Sequence, residues 1–190
     1  AATALDFSPD HRWLSIGTTS EQFALFEVPR GRQVAVKDLR AAATTPNLGS
    51  RVMRLDFNPS SDRVAVGTYG GVVQVFASAN GTLQLTLPHA TTVSEVRFSP
   101  DGRLLATACL NGAVQVWDAH SGQACYPPLL HEDQALDVRF ASDGRWLATS
   151  GKDRSIRVWE TSSGRLLARL MTLAEPLQIA VDPSSLSVAA

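Results

Sequence analysis

The residues best equipped for chemistry are His131, Asp153 and the serine and threonine hydroxyls near them, because histidine set between a carboxylate and a hydroxyl is the make-up of a general-base relay. Such a relay catalyses when the histidine reaches an exposed nucleophile beside an oxyanion hole. The surroundings here argue against it. His89 and His131 each stand nine residues before a phenylalanine, Phe98 and Phe140, so they return with a period instead of marking one site. No GxSxG turn surrounds a serine, and no HExxH, GxxxxGK[ST] or EF-hand pattern occurs. The two cysteines, Cys109 and Cys125, have neither CxxC nor Cys/His ligand spacing. The sequence therefore predicts no catalytic residue, no metal and no cofactor.

An internal repeat positions these groups. In four places an aromatic residue is followed nineteen positions on by a second aromatic and five further on by a glycine: Phe7/Phe26/Gly31, Phe57/Phe76/Gly81, Phe98/Trp117/Gly122 and Phe140/Trp159/Gly164. The starts lie 50, 41 and 42 residues apart, and a fifth repeat opens at Val181. Self-similarity every 40–45 residues or so is the period of a four-stranded propeller blade. The expected fold is thus all-β, a β-propeller without helices. Its blades would run over 1–50, 51–90, 91–131 and 132–173, with a partial fifth over 174–190.

In the third repeat, Val93–Phe98, Leu104–Cys109, Ala113–Trp117 and Gln123–Leu130 read as strands, separated by Ser99-Pro100-Asp101-Gly102, Asn111-Gly112 and Ser121-Gly122 turns. Every third strand places apolar residues three and one positions before its aromatic: Phe23/Leu25, Val73/Val75, Val114/Val116 and Ile156/Val158. The aromatic falls on the opposite face. A sheet apolar on both faces must be covered on both, as neighbouring blades would do. Trp159 is expected to matter more to stability than Trp13, which precedes a second strand in an edge repeat.

With 44% hydrophobic and 18% charged residues and a net charge of −1, the chain has no clustered basic footprint of the kind nucleic acid requires. No apolar run approaches the roughly 18–20 residues that cross a bilayer, and no series reads as a signal peptide. Neither nucleic acid nor membrane is an expected partner, and the expected location is the cytoplasm.

The segments Phe98-Ser99-Pro100-Asp101-Gly102 with Val116-Trp117-Asp118, and Ser142-Asp143-Gly144 with Val158-Trp159-Glu160, carry a resemblance to the WD40-repeat family that covers essentially the whole chain. It is weaker in repeats one and two, where Phe26 and Phe76 stand in place of Trp. The resemblance implies a buried hydrogen-bonded tetrad of a His before the first strand, a Ser or Thr in the second, an Asp in the following turn and the Trp. Repeat four supplies His131, Asp153 and Trp159, with Gly151 at the usual Ser position. Repeat three supplies His89 and Trp117 but has Cys109 and Asn111 at the other two places, and repeats one and two keep little more than Thr18 and Thr68.

The resemblance also implies a partner-binding rim, the top face, where the loops joining fourth to first and second to third strands meet. Carried onto this chain it takes in Arg51 and Met53, Thr92 and Ser94, Gln134 and Leu136, and Glu175 and Leu177, with Thr19, Tyr69, Leu110 and Lys152 in the turns. Met53, Tyr69, Leu110 and Leu136 would make the rim apolar enough to suit a protein or peptide with buried anchors. The surplus between Gly31 and Phe57 falls in 40–50, a small-residue loop on the same rim.

The expected function is therefore a non-catalytic protein-interaction scaffold. The alternative is an enzymatic or cofactor-binding propeller with its site in the central channel, which would need a ring of inward carboxylates or histidines that the first strands do not supply. WD40 propellers usually have seven blades, so the segment is expected to be part of a larger ring and to need the rest for closure. Tyr126-Pro127-Pro128-Leu129-Leu130-His131 is similar to the linker between blades in large bacterial WD40 proteins, some of which resemble sensor or scaffold domains fused to kinases. That implies a regulatory propeller of a bacterial signalling protein, with any kinase or other effector domain outside these residues.

Overall fold

The computed structural model describes residues 1–39 and 51–174, together with the backbone of Ala180–Val181 and Val188–Ala189. Among these residues the chain is β throughout, apart from one 3-10 turn at Val28–Arg30. Four antiparallel sheets of four strands follow one another. The first holds β1 (Ala2–Phe7), β2 (Trp13–Thr18), β3 (Gln22–Glu27) and β4 (Arg32–Asp38). The second holds β5 (Val52–Phe57), β6 (Arg63–Thr68), β7 (Val72–Ala77) and β8 (Leu83–Pro88). The third holds β9 (Val93–Phe98), β10 (Leu104–Cys109), β11 (Ala113–Asp118) and β12 (Leu129–Leu130). The fourth holds β13 (Ala135–Phe140), β14 (Trp146–Gly151), β15 (Ser155–Glu160) and β16 (Leu166–Met171). A last pair, β17 (Ala180–Val181) and β18 (Val188–Ala189), is antiparallel. Each sheet is an up-and-down meander, because its turns are too short for any other connection.

The chain divides into two compact units, Ala1–Val96 and Arg97–Ala190, and the division falls inside β9. In the first unit Phe23 of β3 stacks on Phe76 of β7 with ring centroids 5.1 Å apart. Leu25, Val52, Val64 and Val66 join them with no exposed surface. In the second unit Val114, Val116, Val138, Leu147 and Trp159 form the equivalent cluster. In β7 alternation translates into burial of both faces, whereas in β3 and β11 the face that carries the aromatic is at most half-buried.

The close approach of sheets one and two depends on a missing side chain. A Cβ on Gly17 would lie 2.2 Å from Cγ1 of Val52, a β-branched residue that is itself fully buried and unable to yield. Gly67 holds the equivalent place in β6, where a Cβ would meet Val93 and Val96 at 3.0–3.1 Å.

Two expectations need correction. The fourth strand of repeat three is not Gln123–Leu130: only Leu129 and Leu130 pair with β11, apart from a single bridge between Trp117 and Ala124. Pro127 and Pro128 have no N–H to add to a ladder, and the Gln115 side chain replaces the lost rungs by donating to the Tyr126 carbonyl at 2.7 Å. Trp13 is not the less buried tryptophan either. It is 5% exposed against 6% for Trp159, and it packs in the Phe23 and Phe76 cluster.

Equal burial sets an expected outcome: Trp13→Ala and Trp159→Ala should each lower stability by roughly 3–5 kcal/mol. Urea melts of the full chain check this. A Trp13→Ala loss less than half that of Trp159→Ala would show that burial does not rank these sites.

Candidate functional site: the hydrogen-bonded relay and the loop rim

Trp159 can only donate through its indole, and its Nε1 reaches Thr149 Oγ1 at 2.9 Å. Thr149 Oγ1 in turn lies 2.7 Å from His131 Nε2, and His131 Nδ1 lies 3.1 Å from Asp153 Oδ1. One assignment of protons satisfies every atom. Thr149, accepting from Trp159, donates its own proton to Nε2, and the Nδ1–H of a neutral imidazole goes to Asp153. The strand register fixes these meetings: Trp159 sits opposite Leu147, which makes Thr149 its diagonal neighbour on the same face.

Repeat three copies the first link, with Trp117 donating to Thr107 at 3.0 Å. Its Asn111 accepts from the Ala113 amide as Asp153 does from Ser155. Cys109 is buried and its thiol is pushed up to about 12 by desolvation, so it is a poor nucleophile. His89 lies 3.0 Å from the Leu87 carbonyl through Nδ1, and burial pulls it down to about 4.

The hydroxyl member in repeat four is thus Thr149, and Gly151 is no vacancy. A Cβ there would stand 2.5 Å from His131 Nδ1 and 2.9 Å from Asp153 Oδ1. Arg157, which the sequence reading passed over, completes the group from directly opposite Thr149. Its guanidinium is 2.9 Å from Asp153 Oδ2 and also donates to the Leu130 carbonyl. Burial pulls the Asp153 carboxyl up, but donors from Ser155, the Glu132 amide and His131 outweigh it and hold it below the usual range. Burial likewise lowers His131, and Asp153 only partly restores it. With no open nucleophile the relay is a structural clamp.

Each first strand has one free edge, and side-chain carboxylates cover part of it. Asp6 accepts from the Phe57 amide at 3.1 Å, Glu95 from the Val96 amide and Asp137 from the Val138 amide. Glu95 and Asp137 occupy the same register position, three before the aromatic, and both are buried. The sequence reading found no ring of inward carboxylates or histidines on these strands. Glu95 and Asp137 are each engaged by an arginine, Glu95 by Arg54 at 3.2 Å and Asp137 by Arg139 at 3.3 Å.

The rim residues occupy the equivalent end of each sheet. Thr19 N–H donates to the Ala1 carbonyl, Tyr69 N–H to Arg51 and Lys152 N–H to Gln134, all at 2.8–2.9 Å. Beside these bonds the register of β1, β5 and β13 shifts by one, leaving Thr3, Met53 and Leu136 as the extra residues of β-bulges. A bulge re-aims the side chain it carries. Met53, Tyr69, Leu110, Gln134, Leu136 and Lys152 are half-buried and Arg51 is exposed. Thr92 and Ser94 do not belong to an exposed rim: they are 3% and 7% exposed, and the Thr92 hydroxyl is used on the Tyr69 carbonyl. Glu175, Leu177 and the loop 40–50 lie outside the described residues.

Two outcomes follow for the clamp. Gly151→Ala should cost about 2–3 kcal/mol by parting His131 from Asp153, and urea melts giving less than 0.5 kcal/mol, or roughly the error of an exposed substitution, would disprove the crowding. Stability should also depend on pH. His131 and His89 titrate lower in the folded chain, so below 6.5 the unfolded chain takes up protons that the folded one refuses. Stability should therefore be level above pH 6.5 and fall by roughly 2–3 kcal/mol toward about pH 4. Asp153 keeps its contribution above its unfolded value of 3.8 and loses it only at lower pH. Urea midpoints at pH 7.5, 5.5 and 4.0 check this, with His89→Gln expected to flatten the slope.

The model of the "WD domain, G-beta repeat" family matches residues 81–118 and 129–160. Each match begins with the last strand of one sheet and ends with the third strand of the next. WD repeat-containing protein SL1-17 of Schistosoma mansoni is 34% identical over 123 residues, 65% of this chain and 38% of that protein. Coronin-7 of Rattus norvegicus is 31% identical over 122 residues, 60% of this chain and 12% of that protein. F-box-like/WD repeat-containing protein TBL1Y of Homo sapiens is 29% identical over 86 residues, 45% of this chain and 16% of that protein. The chain spans well under half the length of these relatives, which are eukaryotic. WD40-repeat proteins generally act as protein-interaction scaffolds, typically without catalysis of their own. Two family matches, WD-repeat relatives and four four-stranded sheets give one conclusion: this chain carries WD40 repeats at 81–118 and 129–160 and is similar to WD-repeat proteins.

Proposed function

We propose that the chain is a non-catalytic scaffold that holds protein or peptide partners on the loop ends of its sheets, at Arg51, Met53 and Tyr69 in the first unit and at Leu110, Gln134, Leu136 and Lys152 in the second. The observation that carries this reading is the recurrent bulge, which places an apolar side chain, Met53 or Leu136, at the same point of two sheets. Side chains raised on a rigid strand end bind with little ordering cost. The blade limits 1–50, 51–90, 91–131 and 132–173 are part of the same proposal. So is a cytoplasmic location, where the free thiols of Cys109 and Cys125 remain reduced. A regulatory role in a bacterial signalling protein with a fused effector domain rests on the Tyr126–His131 segment alone. The eukaryotic relatives lend that finer reading no support.

A channel enzyme is the weaker reading, because the buried carboxylates Glu95 and Asp137 already hold arginines and backbone amides. Photo-crosslinking distinguishes the rim from the rest of the surface. A benzophenone side chain at Met53 or Leu136 should trap a partner that the same group at Leu83, exposed on an outer strand, does not. Lys152→Glu should reduce the product formed at Leu136 at least about fivefold while the melt stays unchanged. Equal trapping at Leu83 and Leu136 would rule out the rim.

A further inference from the structure

Most arginines of the first unit are matched to acids. Arg12, Arg30 and Arg32 converge on Glu27, and Arg54 reaches Glu95. Arg51 differs. It is exposed, and among the described residues it has no carboxylate partner. Its guanidinium lies over the Tyr69 ring at 5.0 Å, and Nη2 is 3.6 Å from Met53 Sδ, a weak acceptor. The chain around it also carries no acid: from Leu39 to Leu55 there are three arginines, Arg40, Arg51 and Arg54, and no Asp or Glu.

A guanidinium held over an aromatic ring still presents N–H groups that match a carboxylate. The stack is also held from behind. Tyr69 donates its amide to the Arg51 carbonyl at 2.8 Å and receives the Thr92 hydroxyl on its own carbonyl at 2.8 Å. Both partners in the stack are therefore anchored at the backbone, which lowers part of the ordering cost of binding. Met53, on its bulge beside the guanidinium, offers an adaptable apolar contact.

We infer that Arg51, stacked on Tyr69 beside Met53, is the anchor for a carboxylate of an acidic peptide with an apolar residue next to the acid. This rests on the proposed rim and specifies the chemistry of its partner. The acid supplies the charge that residues 39–55 lack, and its apolar neighbour meets Met53.

The test uses the full chain and three fluorescein-labelled octapeptides: alternating glutamate and leucine, alternating glutamine and leucine, and alternating lysine and leucine. Anisotropy at low salt should show the glutamate peptide binding at least about tenfold more tightly than the glutamine one, with no binding of the lysine peptide. Arg51→Ala should abolish that preference and Tyr69→Leu should weaken it, both with an unchanged far-UV spectrum. Arg51→Lys, which keeps the charge and loses the fork, should recover only part of it. Equal binding of the glutamate and glutamine peptides, or a preference that survives Arg51→Ala, overturns the inference. So does a uridine octanucleotide that competes more tightly than the glutamate peptide and depends on Arg51, which would assign the site to phosphates. Crosslinking at Met53 separates the two readings: if it traps a partner while Arg51→Ala does not affect the peptides, the rim stands and the acidic partner does not.

Discussion

A sheet whose third strand is apolar on both sides cannot stand in water with either side bare, and the rest of this molecule answers that constraint. In the second sheet Val73 and Val75 are fully buried on one face, and Phe76, on the other, is 2% exposed. Burying a Val or Phe side chain gains roughly 1.5–3 kcal/mol, so sheets that lie face to face are favoured and a lone sheet is not. The glycines at 17 and 67 follow from the same need, because any larger residue there would hold adjacent sheets apart. Among the described residues some apolar side chains are left exposed, as are Leu5 and Phe7 on β1 and Leu170 and Met171 on β16.

The aromatic at the end of each third strand shows how polarity is settled inside such a stack. Trp117 and Trp159 each have a threonine as diagonal neighbour, Thr107 and Thr149, to receive the indole N–H. Phe26 and Phe76 lie opposite Leu14 and Val64, and their diagonal neighbours are Ile16 and Val66, which have nothing to receive. The choice between Trp and Phe therefore goes with the presence of an acceptor, since a buried unpaired N–H costs about 1–3 kcal/mol. In the fourth repeat the link continues through a histidine to a carboxylate and a buried arginine.

Period and alternation made the strands legible, because faces of a sheet are set by residue parity and turns by Gly, Pro and Asp. Parity cannot choose between residues two apart. Thr149 and Gly151 share a face, so sequence placed the hydroxyl near position 151, and only the pairing of Trp159 with Leu147 selects Thr149. Arg157 was missed for a related reason: in an alternating strand a charge between Ile156 and Val158 looks solvated, yet the Leu130 carbonyl and Asp153 draw it inward. The bulges at Met53 and Leu136 leave no mark in composition, being a matter of which residue the partner strand skips. Thr92 and Ser94 were placed on the rim by position, which says nothing of the backbone carbonyl that holds Thr92 inward.

The interrupted outer strand of sheet three bears on how the protein behaves when crowded. Strands β4, β8 and β16 run for six or seven residues and pair along their length with the third strand, each with one register shift. Sheet three ends instead in Tyr126-Pro127-Pro128, two paired leucines and a glutamine amide. A foreign β-strand that aligned there would find no consecutive amides to bond. Cross-β growth, which advances one complete ladder at a time, has no template on that edge.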